Sequence, residues 1–341
     1  MTGDRPQLPL DLLKNTSRSF YLTLRILPAP IRTPIGLAYL LARTTDTIAD
    51  TAIVPVNQRL DLLQQLRERI QSDTAPPLAL GDLAQHQGTP AERVLLEKNG
   101  VSLALLRQLH PHDRQRIREV LDTITSGQEL DLKRFAGASE QHIVALNTAA
   151  DLDDYTYRVA GCVGEFWTKT CRARLFEGLA LDDAFLLTNG VRFGKGLQLV
   201  NILRDLPRDL RAGRCYLPLE DLQSAGLTPG DLLSEGNWPK AQRVYFDWLN
   251  KALSHLNAGW DYTNTLPWRH MRVRLACAWP LLIGFKTIDR LRSANPLDAR
   301  QRIKITRSEV RSILLKSILL YPFPGAWRKS GHKAQAFAVT L

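Results

Sequence analysis

Apolar residues recur at three- and four-residue intervals along most of this 341-residue chain, and few segments alternate. That periodicity puts an apolar stripe on one side of each helix and argues against extensive sheet. In residues 56–72, Val56, Leu60, Leu63 and Leu66 share a face, with Arg and Glu opposite. In residues 93–109, Val94, Leu95, Val101, Leu105 and Leu109 repeat the pattern. Residues 34–50, 113–133, 141–150, 152–178, 182–206, 238–264 and 269–292 also read as helices. Pro34 stands near the start of the first of these, where proline is tolerated. The expectation is an all-α bundle of roughly ten helices. Length alone would prompt two domains. No Gly/Ser or Pro-rich linker divides the chain, so a single domain is expected. Residues 75–92, rich in Pro, Gly, Gln and Ala, read as a surface loop.

The formal net charge is +11. Nucleic acid, an anionic membrane or an anionic substrate would each account for it. No zinc-finger spacing or single-stranded RNA signature is present, which argues against nucleic acid. The four cysteines, Cys162, Cys171, Cys215 and Cys277, form no C-x-x-C pair. They read as reduced thiols of a cytoplasmic protein rather than zinc ligands. The N-terminus lacks a basic region followed by an apolar stretch, so no signal peptide is expected. No run of eighteen apolar residues suits a membrane-spanning helix.

Two short segments carry chemistry: Asp46-Thr47-Ile48-Ala49-Asp50 and Asp205-Leu206-Pro207-Arg208-Asp209. Spacing i,i+4 stacks two carboxylates on one helix face, where they repel unless a cation joins them. One such pair alone is as easily a solvated helix face, since charged residues are mostly exposed. The flanks shift the balance. Arg43 lies three residues before Asp46, and Gln198, Asn201 and Asp205 share a helical stripe beside Arg204. Hard oxygen donors suit Mg²⁺, which binds through a few carboxylates plus substrate phosphates. Two pairs facing each other across a cavity would hold a diphosphate through bridging metals. Pro207 removes a backbone donor, so the second pair is expected to deviate from a regular helix or to lie where one ends.

Five ordered motifs resemble the squalene/phytoene synthases, the head-to-head prenyl synthases. They are Asn15-Thr16-Ser17-Arg18-Ser19-Phe20, Tyr39 through Asp50, Tyr155 through Glu165, Gln198 through Asp209, and Gly213-Arg214-Cys215-Tyr216-Leu217-Pro218. The resemblance covers roughly residues 11–295 and implies an isoprenoid-synthase-type bundle around a central cavity. It divides the chain into a catalytic domain, 1–295, and a tail, 296–341. The family's pattern often has an acid where this chain has Ala49 and Arg208; the outer aspartates are retained.

The resemblance implies roles. Asp46, Asp50, Asp205 and Asp209, with Asn201, would hold Mg²⁺. Ser17, Arg18, Arg43 and Arg204 would contact phosphate oxygens, and Gln198 the substrate or the residues around the metal. Phe20, Tyr39 and Tyr155 would shield the allylic carbocation, aromatic faces being suited to cations. Tyr155 matches the family's tyrosine for proton removal or cation stabilisation. The implied reaction joins two farnesyl diphosphates through presqualene diphosphate and reduces the product with NADPH to squalene. No strand followed by G-x-G-x-x-G is present, so NADPH rests on resemblance alone and its contacts are unassigned. The first alternative is phytoene or dehydrosqualene synthase, without reductant. A non-catalytic relative acting as a binding partner is the second, and the four intact aspartates argue against it.

Two segments stay open between readings. Val159-Ala160-Gly161-Cys162-Val163-Gly164 is either a tight helix crossing or a kinked wall beside the isoprenoid chain. From Arg300 onward there are nine Lys or Arg and one acid, Glu309. Val310, Ile313, Leu314, Ile318 and Tyr321 recur at helical spacing, followed by Phe323 and Trp327. This segment is either an interfacial anchor for peripheral membrane contact or a helix packed on the core.

Overall fold

A computed structural model of the chain describes residues 8–17, 20–76, 78–87, 89–298, 300–301 and 303–332. Arg18, given a phosphate contact above, lies outside the described residues, and so does the side chain of Phe20. The expected all-α class holds. The contacts group the chain into two compact units, residues 1–136 with 166–180, and residues 137–165 with 181–341.

The first unit carries α1 (Leu10–Ser17), α2 (Phe20–Ile26), α3 (Ala29–Asp50), α4 (Val56–Gln71), α5 (Gly81–Gln85), α6 (Pro90–Glu97), α7 (Asn99–Gln108) and α8 (Pro111–Arg134). Its organising element is α3, which packs on α8, α4, α7 and α6. Ile31, Leu37, Leu40, Leu41 and Ile48 of α3 are fully buried, as are Leu63 and Leu66 of α4 and Ile117 of α8. Each such side chain contributes about 1.5–3 kcal/mol on leaving water. The threonines of α3 do not spoil this core. Thr44 and Thr47 return their hydroxyl protons to Leu40 and Arg43 carbonyls, at 2.9 and 2.8 Å. Arg59 of α4 caps the last turn by donating to the Ala49 carbonyl at 2.6 Å.

The second unit begins with β1 (Val144–Leu146) and α9 (Ala149–Thr156), then a π-helical turn at Tyr157–Gly161 that leads into α10 (Cys162–Leu175), whose residues from 166 onward belong to the first unit. It continues with α11 (Asp183–Arg211), β2 (Arg214–Pro218), α12 (Leu219–Ser224), α13 (Trp238–Thr265), α14 (Met271–Arg292), α15 (Arg307–Leu320) and α16 (Pro324–His332). α11 packs along α13, with α14 against both. Its other side meets the π turn at backbone distance. A Cβ on Gly164 would lie 1.8 Å from the Gly190 carbonyl oxygen, and one on Gly194 2.1 Å from that of Ala160. The small-residue segment is thus a tight crossing, and it also carries the local unwinding of a π turn.

Four expectations change. Residues 141–150 are not a helix: β1 pairs in parallel with β2, Val144 opposite Arg214 and Ala145 opposite Cys215. Residues 93–109 are interrupted between α6 and α7, where the Asn99 amide donates to the Leu96 carbonyl at 2.7 Å. Residues 75–92 are not all loop, since α5 buries Leu83 and Ala84. Finally, α11 runs through Pro207 to Arg211. Proline at 207 cannot donate to the carbonyl four residues back, Leu203, and the Tyr245 hydroxyl of α13 donates there instead, at 3.1 Å. The four cysteines are free and buried.

The last two helices dock onto the second unit. Trp327 is fully buried, stacked on Trp260 with centroids 5.4 Å apart and edge-on to Tyr321 at 5.0 Å. The buried Arg274 guanidinium lies over Trp268 and Trp327, at 4.7 and 5.6 Å. Trp327 Nε1 donates to Asn264 Oδ1 at 2.9 Å. Among the described residues no helix is long and apolar enough to cross a membrane.

Candidate active site

The first unit presents Arg43, Asp46 and Asp50 along the last two turns of α3. Arg43 is a fork held on both tines. Nη1 donates to Asp46 Oδ2, and Nη2 donates to Glu92 Oε1 at 2.6 Å. Its Nε–H is buried and has no hydrogen-bond partner among the described residues. Asp46 keeps 42% of its side-chain surface exposed, yet the protein atoms crowding it and the Asp50 carboxylate push its pKa up to about 6, against the pull of Arg43. Asp50 is exposed. A carboxylate whose proton affinity is raised by a neighbouring carboxylate marks a site where a cation is stabilising.

Ser17 and Tyr39 meet near the end of α1. Tyr39 Oη donates to the Thr16 carbonyl at 3.1 Å. The Ser17 hydroxyl is buried and donates to Leu13 O within its own helix. Its proton is therefore committed, and the expected contact to a phosphate would need that bond to break.

In the second unit Gln198, Asn201, Arg204, Asp205 and Asp209 lie on α11. Arg204 holds Asp205 with both ends of its fork, Nε to Oδ1 at 2.9 Å and Nη2 to Oδ2 at 2.7 Å. Arg208 reaches Asp209 at 3.3 Å and Asp205 at 3.8 Å. Asp209 is buried. Desolvation raises its pKa, opposed by Arg208 and by Arg214 of β2. Gln198 is half-buried and Asn201 exposed, and neither side chain has a hydrogen-bond partner among the described residues. This pair therefore rests neutralised by arginines, where the α3 pair is under-neutralised.

The β1–β2 ladder brings the third and fifth motifs together. Gly213, at φ +79°, turns the end of α11 into β2; a Cβ there would lie 2.2 Å from the Ser139 nitrogen. β2 then lays Tyr216 on Tyr155 of α9, ring centroids 4.9 Å apart and stacked, hydroxyls 3.5 Å apart. Both rings are buried. The π turn begins two residues after Tyr155, and such turns recur at functional sites.

Among the described residues no three His, Cys, Asp or Glu side chains converge as a ready-made metal cage. The donor sets are two-carboxylate pairs of hard oxygens. They fit Mg²⁺, which keeps several waters and takes the remaining ligands from a phosphate.

The chain is similar to known proteins over most of its length. The squalene/phytoene synthase family matches residues 13–309. The chain belongs to this family. A presqualene diphosphate synthase of Rhodopseudomonas palustris is 31% identical over 74% of this chain and 76% of its own. The squalene synthase of Schizosaccharomyces pombe is 27% identical over 91% of this chain and 64% of its own. A bifunctional lycopene cyclase/phytoene synthase of Phaeosphaeria nodorum is 30% identical over 75% of this chain. The match spans only 41% of that longer protein. Among solved structures, TcSQS in a ligand complex superposes with a TM-score of 0.74 at 22% identity, covering 96% of this chain and 97% of its own. A dehydrosqualene synthase in a ligand complex gives 0.63 at 20% identity, with 91% and 94% covered. Both support the family's all-α fold.

Two contributors were missed from sequence. Glu92 falls in the stretch read as loop and meets Arg43 only through tertiary packing. Tyr216 was quoted within a motif but given no role; its partner Tyr155 becomes visible only once β1 and β2 pair.

Proposed function

We propose that this member of the squalene/phytoene synthase family is a prenyltransferase that joins two farnesyl diphosphates head to head through presqualene diphosphate. It then reduces that intermediate with NADPH to squalene. The observation that carries the prenyl-transfer reading is the α3 constellation: an arginine fork with a spare buried donor beside two mutually repelling carboxylates. Such a site is short of a cation and offers a donor to an anion.

Asp46, Asp50, Asp205 and Asp209, with Asn201, would hold Mg²⁺. The metal would supply Lewis-acid neutralisation of the departing diphosphate. Arg43 offers its Nε–H to a phosphate oxygen. Arg204, now paired with Asp205, would offer a bidentate fork to another if Asp205 held a metal ion. Gln198 contributes an unpartnered amide. The stacked Tyr155 and Tyr216 would offer a π face to the allylic cation, and the Tyr155 hydroxyl, 3.5 Å from that of Tyr216, would move a proton. No residue is assigned to NADPH. In this reading residues 1–295 carry the chemistry, residues 296–341 form a tail, and the chain works in the cytoplasm.

A second reading is favoured by the presqualene diphosphate synthases among the relatives. The Rhodopseudomonas palustris protein is a presqualene diphosphate synthase, so the reaction of this chain would stop at the intermediate. A phytoene-type product, without reductant, is supported by the bifunctional relatives. Labelled farnesyl diphosphate with Mg²⁺, with and without NADPH, separates these. Squalene formed only with NADPH supports the proposal. Presqualene diphosphate accumulating in both arms supports the second reading. Phytoene from geranylgeranyl diphosphate, with no product from farnesyl diphosphate, would replace both.

A further inference from the structure

α15 is apolar on two opposite sides. Its inner stripe, Val310, Ile313, Leu314 and Ser317, faces the rest of the second unit, and Trp279 Nε1 of α14 donates to the buried Ser317 hydroxyl at 2.9 Å. A helix that only covered α14 would be polar on its outer side. Instead Leu315 and Leu319 project outward at 59% and 61% exposure. Ile318 flanks them at 41%, and Phe323, just beyond the helix, is exposed at 63%.

Apart from Glu309, the charged residues of α15 and α16 are all basic. Arg307, Arg311, Lys316, Arg328 and Lys329 are exposed and form no ion pair among the described residues. The one acid of the segment, Glu309, is turned away. Arg290 of α14 donates to both its oxygens at 2.7 Å, and Lys286 lies 3.3 Å from it. The Thr306 cap adds its backbone N–H at 2.8 Å. Residues 307–332 contain no other acid.

We infer that the outer face of α15, with Phe323, is a docking surface for an anionic lipid bilayer. Charge complementarity selects the occupant: an apolar strip within a cationic rim matches acyl chains beneath anionic headgroups. The helix lies on the surface and does not cross it, being 14 residues long. Its inner stripe and the Trp327 anchor stay packed in the protein, so docking needs no unfolding. The surface is part of the second unit. This inference stands independently of the product formed.

The test is co-sedimentation of the full chain with vesicles of phosphatidylglycerol and phosphatidylcholine, and of phosphatidylcholine alone. Binding to the anionic vesicles at low salt is expected, weakened at least about tenfold by roughly 0.5 M salt. A Leu315→Gln, Leu319→Gln, Phe323→Gln variant should lose about tenfold or more in partitioning, with an unchanged circular dichroism spectrum and thermal midpoint. Arg311→Gln with Lys316→Gln should lower binding only to the anionic vesicles. Four outcomes overturn the inference. The full chain fails to bind; the triple variant binds as well as the parent; or the chain self-associates in sedimentation velocity through this face and leaves vesicles alone, which assigns it to a second copy. Vesicle binding that appears only after removal of residues 333–341 also overturns it, by assigning the face to that segment.

Discussion

Arg43 bridges Asp46 and Glu92, one guanidinium nitrogen to each carboxylate. Glu92 is fixed in turn by Thr89, whose hydroxyl donates to Glu92 Oε2 at 2.7 Å while accepting from the Glu92 N–H at 3.3 Å. The cap of α6 therefore sets where an arginine of α3 points. Glu92→Gln keeps the size and weakens the charged bond; Glu92→Ala removes it. Charge-assisted hydrogen bonds contribute about 1.5–3 kcal/mol. Glu92→Ala is expected to raise KM for the diphosphate substrate by roughly tenfold with a smaller change in kcat, and Glu92→Asp to recover part of it. Steady-state kinetics check the split, and an unchanged KM would remove Glu92 from the positioning of Arg43.

The aspartate pairs differ in their resting state, and two substitutions exploit that. Asp50→Asn and Asp205→Asn are each expected to remove most turnover, about a hundredfold or more, while the helical spectrum stays intact. Arg208→Gln releases a competing cation from the α11 pair and is expected to tighten Mn²⁺ binding severalfold, read by titration calorimetry in the absence of substrate. Near-normal turnover of both aspartate variants at limiting Mg²⁺ would remove the metal assignment.

Tyr245→Phe deletes one oxygen, the one that satisfies the Leu203 carbonyl left open by Pro207. A buried acceptor without a donor costs about 1–3 kcal/mol. The variant is expected to lose that much in chemical denaturation. It should also lose turnover beyond what stability explains, because the turn carrying Asp205 and Asp209 is no longer held straight. Full activity at a reduced midpoint would separate the two effects and confine Tyr245 to stability.

His255 of α13 is buried, with its pKa lowered to about 4 by desolvation and by Arg192, Lys251 and Lys195, against a small opposing effect of Asp153. Arg192 Nε donates to its Nδ1 at a long 3.4 Å. The unfolded chain takes up this proton near pH 6.5, and the folded chain only near 4. Stability from this group is therefore present above pH 6.5 and lost as pH falls towards 4, by about 2–3 kcal/mol. His255→Gln should flatten that part of the stability–pH curve, measured by urea titration at pH 4.5, 5.5 and 7.

Most helices were legible in the sequence because each carries its own apolar stripe. What was not legible depended on a second segment. Val144-Ala145-Leu146 fits a helix or a strand equally, and only Arg214–Pro218 decides between them. Pro207 reads as an end or a kink until Tyr245 is brought to it from α13. Asp46 and Asp50 were legible as a pair because their spacing is local. Glu92 was not, since its meeting with Arg43 is tertiary. The tail read equally well as anchor or core helix; the structure shows one side of α15 packed on the protein and leaves Leu315 and Leu319 exposed on the other.

The β1–β2 pairing has a consequence for how the chain assembles. Two strands of three and five residues cannot persist alone, and they come from distant parts of the sequence. Closing that long loop costs chain entropy, so the ladder is expected to form after α9, α11 and α13 have gathered. The Tyr155–Tyr216 stack and the Arg214 field on Asp209 then appear last. A newly made chain would be largely helical before it could turn over substrate, and far-ultraviolet signal would return in refolding ahead of activity.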